Sequence, residues 1–395
     1  MKRQIRVSGV GCCLVDRLYN DISFTSASFS PYLRESKGDG GLFPGRLVFK
    51  EEFERYCNRS LPTVLENITD QKEPGKLNIG GPCIVPLIHA SQLLYDIDSV
   101  FYFYGCRGDD DDGNFLLSML KRTPVKTTNY KVKKDATPST IVFSDPKYNK
   151  GGGERIFINQ LGAATGYSPD DLNDDFFNSD IAVFGGTALV PQIHDNLTEL
   201  LQKAKSRNTI TIVNTVYDYR NEKLDPIQRW PLGKSDDSYK YIDLLIADKE
   251  ESLRLSGEKN IPDALKFFKK KGAGAAIVTS GSEDIHFYSG GSVFHPVKPS
   301  TLPVSDAIAE KIKNGARGDT TGCGDNFVGG AIASVVEQLY SRKEKINLLE
   351  ACILGVVSGG FACLYIGGTY FESRKGEKRD LLTPYYKEYQ EQLEK

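Results

Sequence analysis

A run of ten small and polar residues carries the strongest chemical signal in the sequence. Residues 318–327 read Gly-Asp-Thr-Thr-Gly-Cys-Gly-Asp-Asn-Phe, and the apolar periodicity that follows predicts a long helix from residue 324 to residue 340. Small residues at a helix N-terminus expose successive backbone N–H groups, which bind anions. We therefore expect the N–H groups of Gly322, Cys323 and Gly324 to stabilise a phosphoryl group as charge develops on it.

Asp325, in the first turn of this predicted helix, is the candidate catalytic base. A carboxylate at this position can accept the proton of a hydroxyl group while the anion site stabilises the transferred group. The structural alternative is an Asp that caps the start of a glycine-rich helix. The complete ten-residue run favours the catalytic interpretation. Cys323 shares the helix N-terminus, where a thiolate is favoured.

The elements that must position these residues alternate between strand and helix along the chain. Apolar runs bounded by turn residues predict strands, and 3.6-residue periodicity predicts helices. This alternation predicts an α/β fold with a central, mostly parallel sheet flanked by helices, and ligands bind such sheets beyond the carboxyl ends of the strands. Strands are predicted at residues 5–11, 99–104, 181–184, 209–213, 243–247 and 275–279, and helices at residues 82–95, 113–120, 193–205, 249–255, 262–271 and 324–340.

Two regions interrupt the alternation. Residues 17–79 are polar, rich in glycine and loop-like, and residues 129–160 alternate between apolar and polar side chains. Both patterns suit exposed antiparallel strands. We interpret them as a small β-rich lid inserted into a single α/β domain that spans residues 1–395. The alternative is a set of ordinary surface loops with an edge hairpin.

Composition excludes several classes of function. The chain has 50 Lys and Arg against 52 Asp and Glu, a net charge of −2, so neither nucleic acid nor an anionic membrane is an expected partner. Its eight cysteines form no Cys-x-x-Cys pair, which argues against a zinc site. Residues 1–6 lack a following signal-peptide core, so a cytoplasmic location with reduced thiols is expected. The uncharged residues 351–371 are broken by five glycines and predict a buried helix and a glycine turn.

The ten-residue run resembles the second signature of the ribokinase-like (pfkB) sugar and nucleoside kinases. That signature reads Asp-Thr-x-Gly-Ala-Gly-Asp-x-Phe, and here Cys323 replaces the Ala. The resemblance covers nearly the whole chain in the same order. It implies the ribokinase-like fold, ATP as the phosphoryl donor and Mg²⁺ as a cofactor. The resemblance leaves open whether the protein requires K⁺ and whether it forms a homodimer through the lid.

The resemblance also assigns residues to the acceptor. Asp16 is similar to the acceptor-binding Asp of the family, and Gly80 and Gly81 resemble the start of its first signature, although Val85 stands where that signature usually has Asn. Arg155 resembles the lid Arg that closes over the transferring phosphate in adenosine kinase-like members. An Asp that caps a turn is the alternative for Asp16, and a plain surface Arg on an edge strand is the alternative for Arg155.

Residues for the nucleotide and the metal follow from the same resemblance. Thr279, with Gly281 two residues later, resembles the ATP phosphate loop, and Thr320 of the second signature is a further nucleotide contact. Asp248 and Glu251 resemble the family's Asn-x-x-Glu, which serves Mg²⁺ and phosphate through water. Asp in place of Asn keeps an oxygen ligand and adds charge, which Mg²⁺ tolerates.

The sequence therefore predicts transfer of the ATP γ-phosphoryl group to a hydroxymethyl group of a sugar. A nucleoside is the second acceptor class, because Arg155 and the long first insertion suit nucleoside kinases. A family member that has lost catalysis and has a regulatory or scaffold role is the third reading. Asp325 and the intact glycine run argue against that reading.

Overall fold

The strands form two separate sheets. The computed structural model describes residues 3–36, 38–151, 153–315 and 318–395, and within these residues fourteen strands form one nine-stranded and one five-stranded sheet. The strands are β1 (Ile5–Gly11), β2 (Leu14–Tyr19), β3 (Leu47–Phe49), β4 (Lys76–Gly80), β5 (Ser99–Arg107), β6 (Lys126–Val132), β7 (Ser139–Asp145), β8 (Glu154–Gln160), β9 (Ile181–Gly185), β10 (Ile210–Asn214), β11 (Leu244–Asp248), β12 (Ala275–Ser280), β13 (Glu283–Ser289) and β14 (Val297–Leu302).

Helices cover both faces of the larger sheet. The described residues form fifteen α-helices, of which α13 is the longest and packs between α3 and α14. They are α1 (Lys50–Cys57), α2 (Leu61–Thr69), α3 (Ile84–Leu93), α4 (Asp111–Leu120), α5 (Tyr148–Gly151), α6 (Asp174–Phe177), α7 (Pro191–Asp195), α8 (Leu197–Ser206), α9 (Tyr219–Leu224), α10 (Lys249–Ser256), α11 (Ile261–Lys271), α12 (Asp306–Lys313), α13 (Cys323–Tyr340), α14 (Leu348–Ala362) and α15 (Glu377–Leu393).

The larger sheet has the order β14-β13-β12-β11-β10-β9-β1-β5-β6. The seven strands from β12 to β6 are parallel, and β13 and β14 are antiparallel at one edge. Strands such as β1 and β9 are buried along their length because helices cover both faces. Two hydrophobic clusters fill the two faces, one around Val7 and α3 and the other around Val10 and Phe184. The α/β prediction with a mostly parallel sheet is confirmed.

The smaller sheet has the order β3-β8-β7-β2-β4 and mixes the two strand directions. β2 pairs antiparallel with β4 but parallel with β7, and β3 pairs parallel with β8. The expectation of antiparallel strands is therefore wrong for part of the sheet. Its outer face packs on its own aromatic cluster, which includes Phe24, Phe29 and Phe53. We call this sheet, with α1 and α2, the lid, and the part of the chain built around the nine-stranded sheet the larger domain.

The predicted boundaries of the lid need two corrections. Residues 129–132 belong to β6, which pairs with β5 at the edge of the larger sheet. An edge strand is half exposed, so its alternating pattern matches that of a lid strand. Residues 17–79 are not loop throughout, because they contain β3, α1, α2 and β4.

The uncharged stretch near the C-terminus is a buried helix, as predicted. α14 packs between α13 and α15, and a turn follows it with Gly367 at φ +86°. Among the described residues, no helix has the length and apolar character that a membrane crossing requires.

Candidate active site

The loop before α13 has the backbone geometry that an anion site requires. Gly322 adopts φ +73° as the N-cap of α13, and a Cβ there would lie 2.5 Å from the Cα of Gly368. A Cβ on Gly324 would meet no atom within 4 Å, so this part of the first turn faces open space. The first N–H groups of a helix have no partner within the helix, and they point out of its N-terminus.

Asp325 lies in the first turn of α13 and does not cap it. The N-cap position belongs to Gly322, so the structural alternative for Asp325 is wrong. Burial raises the pKa of the Asp325 carboxyl to about 6. A carboxyl group with this pKa is ionised at neutral pH and still basic enough to accept a proton from a hydroxyl group.

Asp16 lies in the middle of β2, on the lid. It is 5% exposed, and it faces Asn78 on one neighbouring strand and Thr140 on the other. Its position inside a strand excludes the turn-capping alternative. Burial, then the nearby carboxylates of Asp325 and Asp319, raise the pKa of Asp16 to about 8, against the opposing effect of Arg155. The fold therefore brings the acid from the lid close to the acid from α13.

The two glycines at the end of β4 leave space for Asp16 and for the backbone next to it. A Cβ on Gly80 would lie 2.2 Å from a carboxylate oxygen of Asp16. Gly81 has φ +127°, and a Cβ there would lie 2.3 Å from the carbonyl oxygen of Cys12. Any side chain at either position would displace the carboxylate or the backbone next to it.

Arg155 connects the lid to the loop before α13. Its guanidinium donates hydrogen bonds to Thr321 Oγ1 at 2.6 Å and to Thr320 Oγ1 at 2.5 Å. Because Arg155 lies on β8, these bonds hold the lid over the α13 N-terminus. Arg155 is thus more than a plain surface residue, and Thr320 contacts the lid in this structure.

Asp248 and Glu251 meet where β11 passes into α10. Asp248 caps the helix by accepting a hydrogen bond from the N–H of Glu251 at 2.7 Å, and Glu251 accepts one from Thr215 Oγ1 at 2.5 Å. Burial, then the neighbouring Asp248, raises the pKa of Glu251 to about 8. Within the described residues no cluster of three or more His, Cys, Asp or Glu side chains could hold a metal directly. Two carboxylates suit a hydrated Mg²⁺, which keeps several of its waters.

A cavity of about 510 Å³ opens beyond the carboxyl ends of β11 and β12. Gly281 turns the chain there with φ +59°. Such a position in a parallel sheet is where ligands bind. The cavity is lined by Asp248, Lys249, Glu250, Leu253, Arg254, Thr279, Ser280 and Gly281. The structure thus brings Asp248, Thr279 and Gly281 to one cavity.

Comparison with known families decides the classification. A profile described as the pfkB family carbohydrate kinases matches residues 87–374, which is more than half of the chain. The chain belongs to the pfkB family of carbohydrate kinases. The matched region includes Asp325 and the loop before it, whereas Asp16 lies outside it.

Solved structures share the ribokinase-like fold with this pfkB kinase. Adenosine kinase from Sinorhizobium meliloti matches with a TM-score of 0.66 and 18% identity, covering 97% of this chain and 99% of the other. Adenosine kinase from Anopheles gambiae gives 0.64 and 16% over 90% and 95%. Ribokinase from Thermotoga maritima gives 0.61 and 16% over 97% and 99%. Both acceptor classes that the sequence left open are therefore represented among kinases with this fold.

The expected thiolate at Cys323 is wrong. The Sγ atoms of Cys323 and Cys363 lie 3.0 Å apart and share a hydrogen bond. This bond and burial raise the pKa of Cys323, and the same bond lowers the pKa of Cys363. Of the two thiols in this pfkB kinase, Cys363 is therefore expected to ionise first.

Sequence reasoning missed a buried lysine behind the site. Lys378 is 1% exposed, and its Nζ donates to Asn326 Oδ1 at 3.1 Å, as does the Tyr365 hydroxyl. Asn326 Nδ2 in turn donates to the carbonyls of Gly322 and Gly368, both at 2.8 Å. Burial lowers the pKa of Lys378 to about 7. The surrounding residues 374–379 read Arg-Lys-Gly-Glu-Lys-Arg, which is typical of a solvated surface, so no local pattern marks this lysine.

Proposed function

We propose that this pfkB kinase transfers the γ-phosphoryl group of ATP to a hydroxymethyl group of a sugar. The observation that carries the proposal is the meeting of the carboxyl groups of Asp16 and Asp325 at the α13 N-terminus, where Arg155 holds the lid closed. Asp325 is then placed to act as a general base beside the anion site. Asp16 is placed on the opposite wall, where it can bind the acceptor.

The donor half of the site is assigned to the cavity beyond β11 and β12. Thr279 and Gly281 line it, and Thr320 lies on the loop before α13, where its hydroxyl accepts a hydrogen bond from Arg155 of the lid. Asp248 and Glu251 would hold Mg²⁺ through water, and the carboxylate oxygens present there fit such a hard cation. Bound Mg²⁺ would neutralise charge on the phosphates.

In the proposed reaction, the oxygen of the acceptor hydroxyl attacks the γ-phosphorus of ATP, and ADP leaves. Asp325 accepts the proton that the hydroxyl loses. The N–H groups of Gly322, Cys323 and Gly324 stabilise the charge that the transferred group gains in the transition state. Asp16 orients the acceptor through its hydroxyl groups. The absence of side chains at Gly80 and Gly81 leaves room for the Asp16 carboxylate and for the backbone carbonyl of Cys12. Arg155 keeps the lid closed, which excludes the water that would otherwise hydrolyse ATP.

A coupled assay for ADP release tests the proposal. The panel contains free pentoses and hexoses, nucleosides, and a reaction without acceptor, each with and without Mg²⁺ and K⁺. We expect a free sugar to give the highest kcat/KM, and Asp325→Asn to abolish that activity while it still binds ATP. Nucleosides as the best acceptors would select the second acceptor class. No ADP release with any acceptor would contradict a kinase function.

A further inference from the structure

One row of side chains crosses four of the five strands of the lid sheet at the level of Asp16. Strand register pairs Asp16 with Thr140, Thr140 with Asn159, and Asn159 with Phe49. Directly paired residues on adjacent strands project to the same face of a sheet. All four side chains are 5–6% exposed. The row thus forms a buried strip of one carboxyl, one hydroxyl, one amide and one aromatic ring.

This row faces the larger domain and not the core of the lid. Along β8, the alternate residues Ile156 and Ile158 pack in the lid's own aromatic cluster, so Asn159 projects to the opposite side. Arg155, two alternations before Asn159, reaches the loop before α13. At the end of the row, the centroids of the Phe49 and Tyr219 rings lie 3.7 Å apart, and Tyr219 belongs to α9 of the larger domain.

Asn159 carries an unused acceptor into this space. Its Oδ1 atom is buried and has no hydrogen-bond partner among the residues that the structure describes. A buried carbonyl oxygen without a partner is costly, and such atoms usually mark a site for a ligand or water. An amide oxygen only accepts hydrogen bonds, so its partner must bring an O–H or N–H group.

The spacing of the row matches one sugar ring. Adjacent strands lie about 4.8 Å apart, so Asp16 on β2 and Asn159 on β8, with β7 between them, are about 10 Å apart. When both hydrogen bonds, of about 2.8 Å each, lie along the row, they leave about 4–5 Å between the two ligand oxygens. Hydroxyl groups on opposite edges of a single pentose or hexose ring have this separation. Beyond Asn159, Phe49 and Tyr219 close the row.

We propose that Asn159 determines acceptor specificity by accepting a hydrogen bond from the ring hydroxyl opposite the edge that Asp16 holds. Thr140 lies beneath the ring between them. The acceptor is then a free monosaccharide with a hydroxyl at both edges. An acceptor that lacks the far hydroxyl leaves Asn159 Oδ1 without a hydrogen-bond partner. An acceptor that carries a bulky substituent in its place collides with Phe49. This inference rests on the proposed function and narrows it to one substrate class.

A thermodynamic cycle tests the contact. The best free sugar of the panel and its monodeoxy analogues are assayed with the wild type, with Asn159→Leu, which has a similar shape and no acceptor, and with Ile158→Val as the control on the opposite face. In the wild type, one analogue should lose about tenfold to a hundredfold in kcat/KM, because it leaves the buried acceptor unpaired. That loss should disappear in Asn159→Leu and persist in Ile158→Val.

Two outcomes would overturn the inference. In one, Asn159→Leu lowers kcat/KM by the same factor for the sugar and for every analogue. In the other, nucleosides or glycosides are better acceptors than free sugars. Calorimetric binding to the Asp325→Asn variant, which does not turn over, separates this inference from the proposed function. Sugar binding that weakens at least tenfold when Asn159→Leu is added supports the Asn159 contact even if no acceptor is phosphorylated, and unchanged binding removes Asn159 from the site.

Discussion

At the scale of single residues, burial gives two neighbouring acids different protonation states. The pKa of Asp325 is raised to about 6 by burial alone, whereas the pKa of Asp16 is raised to about 8 by burial and by its two acidic neighbours. Near pH 7 the pair therefore shares one proton, with Asp325 ionised and Asp16 protonated. This arrangement provides a base beside a group that can both donate and accept hydrogen bonds.

The pH dependence of turnover follows from Asp325. A general base acts in its deprotonated form, so kcat/KM should increase about tenfold per pH unit below pH 6 and level off above it. The measurement is a pH–rate profile with the best acceptor from pH 4.5 to 8, with ATP saturating. A profile that stays flat between pH 5 and 7 would contradict this assignment.

The paired thiols give a prediction about chemical reactivity. Cys363, whose pKa is lowered by the hydrogen bond that it shares with Cys323, should react with iodoacetamide before Cys323 does. Peptide mass spectrometry at partial modification measures the order. Cys363→Ser removes the favoured thiolate and should slow the first modification about tenfold. Modification of Cys323 first in the wild type would show that the helix N-terminus outweighs the shared hydrogen bond.

At the scale of elements, the first turn of α13 is held from two sides. α15 supports it from behind, through Lys378 and Asn326, and β8 contacts its preceding loop from the front, through Arg155. Small displacements of a catalytic group are costly, because a shift of about 1 Å can reduce a rate about a hundredfold. We therefore expect both contacts to hold Asp325 in its catalytic position.

Replacing the buried lysine tests the rear support. Lys378→Met keeps the side-chain length and removes the donor to Asn326, so we expect kcat to decrease about 10- to 100-fold with a smaller change in ATP affinity. Tm should hold or increase, because the variant no longer buries an ammonium group. Lys375→Met, at an exposed position nearby, is the control. If both variants retain the wild-type kcat, Lys378 does not position the site.

The elements and the residues of the site differ in how far sequence predicts them. β1, β9 and the start of α13 follow from short apolar segments that end in glycine and from a glycine-rich turn, which are local signals. β6 is misassigned to the lid because a half-exposed edge strand and a lid strand share one pattern. Lys378, Asn159 and Cys363 could not be found from local sequence. Their meaning comes from burial and from partners tens to hundreds of residues away.

At the scale of the whole molecule, the lid and the larger domain meet along one side of the site. Besides Arg155, Arg46 before β3 pairs with Glu250 on α10, and Lys223 on α9 pairs with Glu52 on α1. The last two pairs are partly exposed, and exposed pairs contribute about 0–1 kcal/mol. Neither of these two ion pairs involves the loop before α13, which the two hydrogen bonds of Arg155 join to the lid.

Removing the Arg155 contact should weaken lid closure, slow phosphoryl transfer and allow more ATP to be hydrolysed without acceptor. Arg155→Ala should reduce kcat about 100-fold or more, and it should increase the share of ATP hydrolysed without acceptor, because the lid no longer excludes water. Arg46→Ala breaks a pair between the same two parts of the molecule without touching the loop, so its kcat should stay within about threefold of the wild type. Equal effects in the two variants would assign Arg155 to general lid stability.

The central claim is that Asp325 is the base of phosphoryl transfer, and Asp325→Asn tests it most directly. Asn has the same shape and cannot accept the proton. The measurement is acceptor-dependent ADP release with the best acceptor, alongside calorimetric ATP binding on the same preparation. The predicted result is a loss of about 10²–10⁴ in kcat with ATP affinity nearly unchanged. Wild-type kcat in the Asn variant would contradict the claim.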